Sequence, residues 1–467
     1  MMQQMTENSE NNQEERAHSA TALSRSLAET LVDQAKFPFR TFFAHLELAL
    51  MRGIERLNFL STKRQAKLRR QIAKRAPERF LAVTDHVETL QKSSGNQEST
   101  RPEFIPYEPD LDVPITDVRA VAFYLPQFHP FHENDLWWGK GFTEWTNVGK
   151  AQPLFTNHYQ PHCPIHLGYY DLRISEVMVE QARIARQYAI GGFAYHFYWF
   201  GGKTLMERPL LSMLANPDVD MPFFLSWANE NWTRRWDGRD SSVLIQQSHS
   251  TEDSRSMLRH IAEYMHDPRY IKIDGRPVFS VYRPRSIPDL AATVDIWREE
   301  ARIQGLGDLY LIGIQRDPEE DHRPDGFDAN LEFVPHGLSQ TDISAAIELK
   351  SRSFSGKVYD YKAAVQIALD QSDLDINRYR SVMLGWDNTA RSVNRAHIHV
   401  NFSIESYHHW LSELCRRARA DKWRTPGERM VFINAWNEWA EGTHLEPDQR
   451  YGFAYLDATR RAVLGGD

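Results

Sequence analysis

Apolar, strand-like runs alternate with helical patterns from Val118 onward, and this alternation narrows the fold more than any other feature of the chain. The runs are Val118–Phe128, Gly192–Trp199, Pro222–Glu230, Pro277–Arg283, Leu309–Arg316, Ala329–Val334, Arg380–Asp387 and Met430–Trp439. Between most of them lie segments with apolar residues three and four apart: SEVMVEQARIARQYA, STEDSRSMLRHIAEYMHD, IPDLAATVDIWREEARIQG and IESYHHWLSELCRRARA. Each carries a Ser, Thr or acidic residue at its opening, where a helix cap would stand. Strands joined by helical crossovers lie parallel, in a sheet covered by helices. About eight such strands over about 340 residues predict an α/β fold, a (β/α)8 TIM-type barrel spanning residues 118–467. The fifth and sixth runs are joined without a clear helix, which leaves the count open by one. No G-x-G-x-x-G follows a strand, so an open dinucleotide-binding sheet is the weaker match.

Upstream, residues 1–20 are polar and read as a disordered tail. Residues 21–92 have helical spacing, with Leu46, Leu48, Leu50, Met51, Ile54, Leu57 and Leu60 giving an apolar face. A basic stretch, Lys63–Arg75, follows; it reads either as a solvated helix face or as a peripheral contact with a membrane or a partner enzyme. Residues 93–117, rich in Ser, Pro and charge, read as a linker. The opening residues lack the basic-then-apolar pattern of a secretory signal, and no run approaches the roughly 20 apolar residues of a membrane span. The expectation is therefore a cytoplasmic location. Only Cys163 and Cys415 are present, which excludes a disulfide framework and a Cys-rich zinc site. The net charge of −8 argues against a nucleic-acid partner.

In a barrel of this type the active site lies at the C-terminal ends of the strands. Those ends read Tyr124-Leu-Pro-Gln127-Phe-His129, Tyr195-His196-Phe-Tyr198-Trp199, Trp227-Ala-Asn229-Glu230-Asn-Trp232, Gly385-Trp386-Asp-Asn388 and Trp436-Asn437-Glu438-Trp439. Each combines aromatic rings with hydrogen-bonding side chains. Rings stack on the apolar face of a sugar and the polar groups bond its hydroxyls, so the pattern predicts an oligo- or polysaccharide ligand. The 13 Trp, 18 Tyr and 24 Phe of the chain fit that use, although core packing is the commoner one.

The last strand end continues to Glu441, Gly442, Thr443, His444, Leu445 and Glu446, placing Glu438 and Glu441 three residues apart. Glycoside chemistry needs two carboxyl groups, one protonated and one ionised. Neighbouring carboxyls, and the Trp rings around them, push a carboxyl pKa upward. Glu438 and Glu441 are the predicted catalytic pair. Glu230 is a second candidate, as an acid/base or as a hydroxyl-binding carboxylate. The segment Trp137–Trp145, with Trp138, Glu144 and Trp145, reads as a loop that closes over a sugar or packs under the rim. His129, His196 and His444 lack metal-ligand spacing and read as substrate-bonding or satisfied histidines; neither a metal nor a cofactor is predicted.

The stretch Ala122–Pro130 through Trp138–Val148 closely resembles the WbsX-type, glycoside hydrolase family 99-like proteins. So do Gly192–Trp199, Trp227–Trp232 and Trp436–Pro447. The resemblance runs from about Val118 to Val463, with five motifs in order, and it excludes the N-terminal helical region. It implies a (β/α)8 barrel. It also implies metal-free, retaining, endo-type cleavage of α-mannosides, with the pair of the N-E-W-x-E-G segment falling on Glu438 and Glu441. In that family the first glutamate acts as base on the sugar's own 2-hydroxyl, giving a 1,2-anhydro sugar. The second is acid to the leaving oxygen and then base to water. Ala440 stands where those mannosidases often carry His, a departure that bears on the subsite and the substrate. WbsX-type members belong to bacterial surface-polysaccharide loci and carry the label of glycosyltransferases.

Three functions are thus set against one another. The first is a retaining endo-type glycoside hydrolase on a manno-type bacterial polysaccharide. The second is a glycosyltransferase of O-antigen or capsule assembly, and the third an inactive sugar-binding protein. The Asp-x-Asp segment Asp218-Val-Asp220 precedes a strand and reads as a turn rather than a diphosphate site, so the chemistry favours hydrolysis while the expected cytoplasmic location favours synthesis.

Overall fold

Eight parallel strands pair in sequence order around a closed ring in the computed structural model, which describes residues 103–466 except 235–238, 351–352 and 372–376. The expected tail, the helical region with its basic stretch, and residues 93–102 lie outside the described residues. The strands are β1 Arg119–Tyr124, β2 Ile190–Phe200, β3 Phe223–Trp227, β4 Arg276–Val281, β5 Tyr310–Gln315, β6 Ala329–Glu332, β7 Arg378–Met383 and β8 Met430–Asn434. β7 is interrupted at Arg380, and its two parts close the ring: Arg378 pairs with Asn330 of β6, and Ser381 with Phe432 of β8. β8 then pairs with β1, Met430 opposite Arg119. The architecture is the expected (β/α)8 barrel, and each predicted run overlaps one of its strands, with β2, β4 and β7 starting one or two residues earlier than expected. β1, β3, β5 and β8 are buried almost throughout, as strands covered on both faces must be.

The covering helices are α1 Ser175–Gln187, α2 Arg208–Ala215, α3 Thr251–His266, α4 Leu290–Ile303, α5 Tyr361–Asp370, α6 Ile404–Ala420 and α7 Ala454–Leu464. Their buried faces carry Trp297 of α4 and Trp410 of α6, both fully enclosed. Between β5 and β6 there is only the short 3-10 turn Arg323–Asp325. The buried His322 covers β5 there instead, and a Cβ at Gly313 would collide with its ring.

Two local expectations change. Ser250 and Ser403 do cap α3 and α6, each accepting a backbone N–H at 3.1 Å. Ser175, however, is the first residue inside α1, and Asp289 before α4 sits in the left-handed region without a cap bond. The Trp137–Trp145 segment is not a simple loop. It joins two short helices, His132–Trp138 and Glu144–Lys150, broken by Gly139 and Gly141 at positive φ. Residues 103–117 lie along the barrel: Ile105 donates to Tyr451 O and accepts from Phe453 N, and Tyr107 packs on Phe453 at 4.8 Å.

Candidate active site

A cleft of about 530 Å³ opens at the C-terminal ends of the strands. Of the residues singled out from sequence, Gln127, Trp138, Glu144, His196, Tyr198, Glu230, Trp232, Trp386, Glu438 and Glu441 line it. Strand geometry sorts the others, because successive side chains point to opposite faces. His196 and Tyr198 face the cleft, whereas Tyr195, just before them, packs on Tyr124 and Phe223.

The remaining residues form the wall behind. Tyr124 donates to Gln181 of α1 at 2.8 Å, Trp227 packs on Trp297, and Trp436 packs on Phe193. Asn229 exchanges two hydrogen bonds with the backbone of Arg283, fixing the β3 end to the β4 end. Asn437 does the same with Leu125, fixing β8 to β1. His129 is buried, and burial lowers its pKa to about 4. Trp145 donates to Tyr170 O and packs against Trp439. His444 stacks on Trp439 with ring centroids 3.7 Å apart. Glu446 is enclosed beneath the cleft floor, accepting from Trp439 Nε1 at 2.7 Å, Gln181 Nε2 at 2.6 Å and Tyr170 OH at 2.9 Å.

The catalytic candidates stand on a tight turn. Asn437–Glu438 pairs antiparallel with Thr443–His444, and Trp439–Glu441 forms a 3-10 turn between them. Gly442 closes it at φ 64°, where a Cβ would press within about 3.0 Å of the Asp387 backbone, so a side chain there meets both backbone strain and a tight contact. Asp387 in turn donates its N–H to Glu441 O at 2.7 Å, and its carboxylate is held by His158 and Gln160.

Just beyond Asp387, the short helix Thr389–Ser392 delivers Arg391, a residue the sequence reading missed. Its guanidinium reaches Glu144 through Nε at 3.1 Å, Glu438 through Nη2 at 3.1 Å and Glu441 through Nη1 at 2.8 Å. Three carboxylates thus share one cation in a largely enclosed space. Burial pushes Glu438 up to about 8, against the pull of Arg391, with Glu441 and Glu144 adding to the rise. Glu441 is raised by burial too, again against Arg391. Such a pair holds a proton near neutrality while one member is ionised, which is the state acid–base chemistry on a glycoside requires.

Other residues absent from the sequence reading line the opposite side: Tyr282 after β4, Arg316 after β5, and Phe333 and His336 after β6. Glu230 forms an ion pair with Arg283. Asp218-Val-Asp220 lies away from the cleft, before β3; Asp218 N–H bonds the Asn216 side chain and Asp220 pairs with Arg186. Among the described residues, His162, His444 and Asp448 form one buried group with metal-ligand donor types. His162 Nδ1 is 2.8 Å from His444 Nε2, and Asp448 Oδ2 is 3.8 Å from the same nitrogen. In this arrangement one imidazole donates to the other. No described helix is long and apolar enough to cross a membrane.

A family model described as glycosyltransferase WbsX matches residues 120–459. The protein WxcX of Xanthomonas campestris pv. campestris strain B100 is 46% identical over 343 residues, 73% of this chain and 49% of that one. The chain therefore spans about half the length of the curated relatives it matches. Among solved structures, the GH99 endo-alpha-mannosidase from Bacteroides thetaiotaomicron aligns with 75% of this chain and 97% of its own, at 17% identity and a TM-score of 0.44. A glycoside hydrolase-like protein aligns with 78% of this chain and 97% of its own, at 16% identity and a TM-score of 0.48.

Proposed function

The chain belongs to the WbsX family, and from that premise we propose that it is a carbohydrate-active enzyme working as a retaining, endo-type glycoside hydrolase on a bacterial polysaccharide. The observation that carries the proposal is Arg391 bridging Glu438 and Glu441 on the cleft floor. The pair shares one proton and reacts with that proton on Glu441; Glu438, the more enclosed of the two and then ionised against Arg391, takes the proton of the sugar's 2-hydroxyl, whose oxygen attacks the anomeric carbon. Glu441, the more open, gives its proton to the departing glycosidic oxygen. Water then attacks the anomeric carbon of the resulting 1,2-anhydro sugar. Glu441 takes the water's proton, and Glu438 returns its own to the 2-oxygen. Two inversions give net retention, and both carboxyls end as they began.

Support also comes from the cleft wall, which Trp138, Trp232 and Trp386 line together with polar groups. The test is release of reducing ends from α-mannans and bacterial O-polysaccharides by the purified protein beside its Glu441→Gln variant. Release by the unsubstituted protein alone is the expected result. Silence across the panel, with transfer from a sugar nucleotide detected instead, would move the assignment to a glycosyltransferase of O-antigen or capsule assembly.

A further inference from the structure

The cleft is electrostatically divided. Its acidic side, built by the ends of β7, β8 and β1, holds Glu144, Glu438 and Glu441 around Arg391. Across the ring, the ends of β4, β5 and β6 bring Tyr282, Arg316 and His336 together. Arg316 Nη1 donates to Tyr282 OH at 3.2 Å, and that hydroxyl lies 3.3 Å from His336 Nε2.

Arg391 has three carboxylate partners and Arg283 has Glu230. Arg316, half-buried in the same cleft, forms no ion pair with a carboxylate among the described residues. Its backbone N–H donates to the Glu320 carboxylate at 2.7 Å, while its guanidinium meets the Tyr282 hydroxyl. Burial, followed by the charges of Arg316, Arg283 and His397, drives His336 down to about 4, so this wall presents positive charge around a neutral imidazole. A guanidinium left without a counter-ion in a half-enclosed cleft pays desolvation that an anionic ligand would return, through paired N–H···O⁻ bonds.

We propose that the β4–β6 side of the cleft is a subsite for an anionic group carried by the glycan, a carboxylate or a phosphate ester, with Arg316 as its ligand and Tyr282 and His336 as its hydrogen-bonding flank. This rests on the carbohydrate reading above and narrows the substrate to acidic polysaccharides.

Binding of four probes to the full chain, measured by calorimetry in the Glu441→Gln background to stop turnover, tests it: mannotetraose, its phosphorylated form, tetragalacturonate and UDP. At least one acidic saccharide should bind about tenfold or more tighter than mannotetraose, with the preference falling as salt is added. Arg316→Gln should erase that preference, Arg316→Lys should restore part of it, and mannotetraose binding should stay within about twofold. Unchanged thermal unfolding of both variants would confirm that they fold. Equal binding of acidic and neutral saccharides, or equal weakening of both by Arg316→Gln, would overturn the subsite and leave the carbohydrate reading standing. UDP as the one ligand that depends on Arg316 would assign the cation to a nucleotide donor and overturn the acidic-glycan proposal. Binding of no saccharide would overturn the carbohydrate reading and the subsite with it.

Discussion

Nη1 of Arg391 lies 2.8 Å from Glu441 Oε1, and through the other nitrogens of the same guanidinium Glu441 is tied to Glu438 and Glu144. The cation lowers both Glu438 and Glu441 against burial. Removing it as Arg391→Gln should raise both further, so the step that needs an ionised carboxylate would move to higher pH. The acid limb of the pH–rate profile is expected to shift upward by about one unit or more. Leaving three buried carboxyls without their cation should also cost about 3 kcal/mol of stability at neutral pH. A profile that keeps its position in a folded Arg391→Gln protein would show that Arg391 does not set the protonation of the pair.

Glu438→Gln and Glu441→Gln should differ by substrate. Both should cut turnover of a natural glycan by about a thousandfold, the middle of the range for general acid–base groups. On a glycoside with an activated leaving group the departing oxygen needs no proton, so Glu441→Gln should recover much of its rate in the first step. Glu438→Gln should not, because loss of the 2-hydroxyl proton is still required. Equal residual rates for the two variants on the activated substrate would remove the division of roles.

The eight strands were legible because each is a short apolar run, and a parallel barrel buries both faces of every strand. The pair Glu438 and Glu441 was legible because it stands at a strand end among Trp residues. Arg391 was not: an arginine three residues past Asn388 resembles any exposed helix residue until the turn at Gly442 brings Glu441 beneath it. Side-chain direction was equally hidden at the strand ends. Tyr195 and His196 are neighbours of similar chemistry, and only the pleat sends one into the core and the other into the cleft.

Glu446 shows the same effect and yields a test. It reads as a sugar-binding carboxylate, but its oxygens are occupied by Trp439, Gln181 and Tyr170 beneath the floor. Glu446→Gln places an NH₂ where an acceptor is needed, so it should lower stability by about 1–3 kcal/mol. By loosening Trp439 in the turn between Glu438 and Glu441, it should lower kcat more than it raises KM. A pure rise in KM with unchanged stability would place Glu446 in contact with substrate instead.

The buried titratable groups make opposing demands that fix a pH of maximal stability. Burial holds His129, His162, His196, His336 and His399 at about 4, below their ordinary 6.5. Between pH 4 and 6.5 the unfolded chain therefore binds more protons at these five sites, and stability rises with pH. Burial also lifts Glu438 to about 8, and Glu446 and Asp448 to about 7. There the folded chain binds more protons between the ordinary carboxyl range and pH 7 to 8, so these three sites lose stability as pH rises. Where the windows overlap the five histidines outweigh the three carboxyls; above pH 6.5 the carboxyls act alone. The Tm should therefore peak near pH 6.5 and decline toward pH 8, and Glu438→Gln should flatten that alkaline decline. Thermal unfolding across this range decides the point: a Tm still climbing at pH 8 would mean that these carboxyls are ionised in the folded protein.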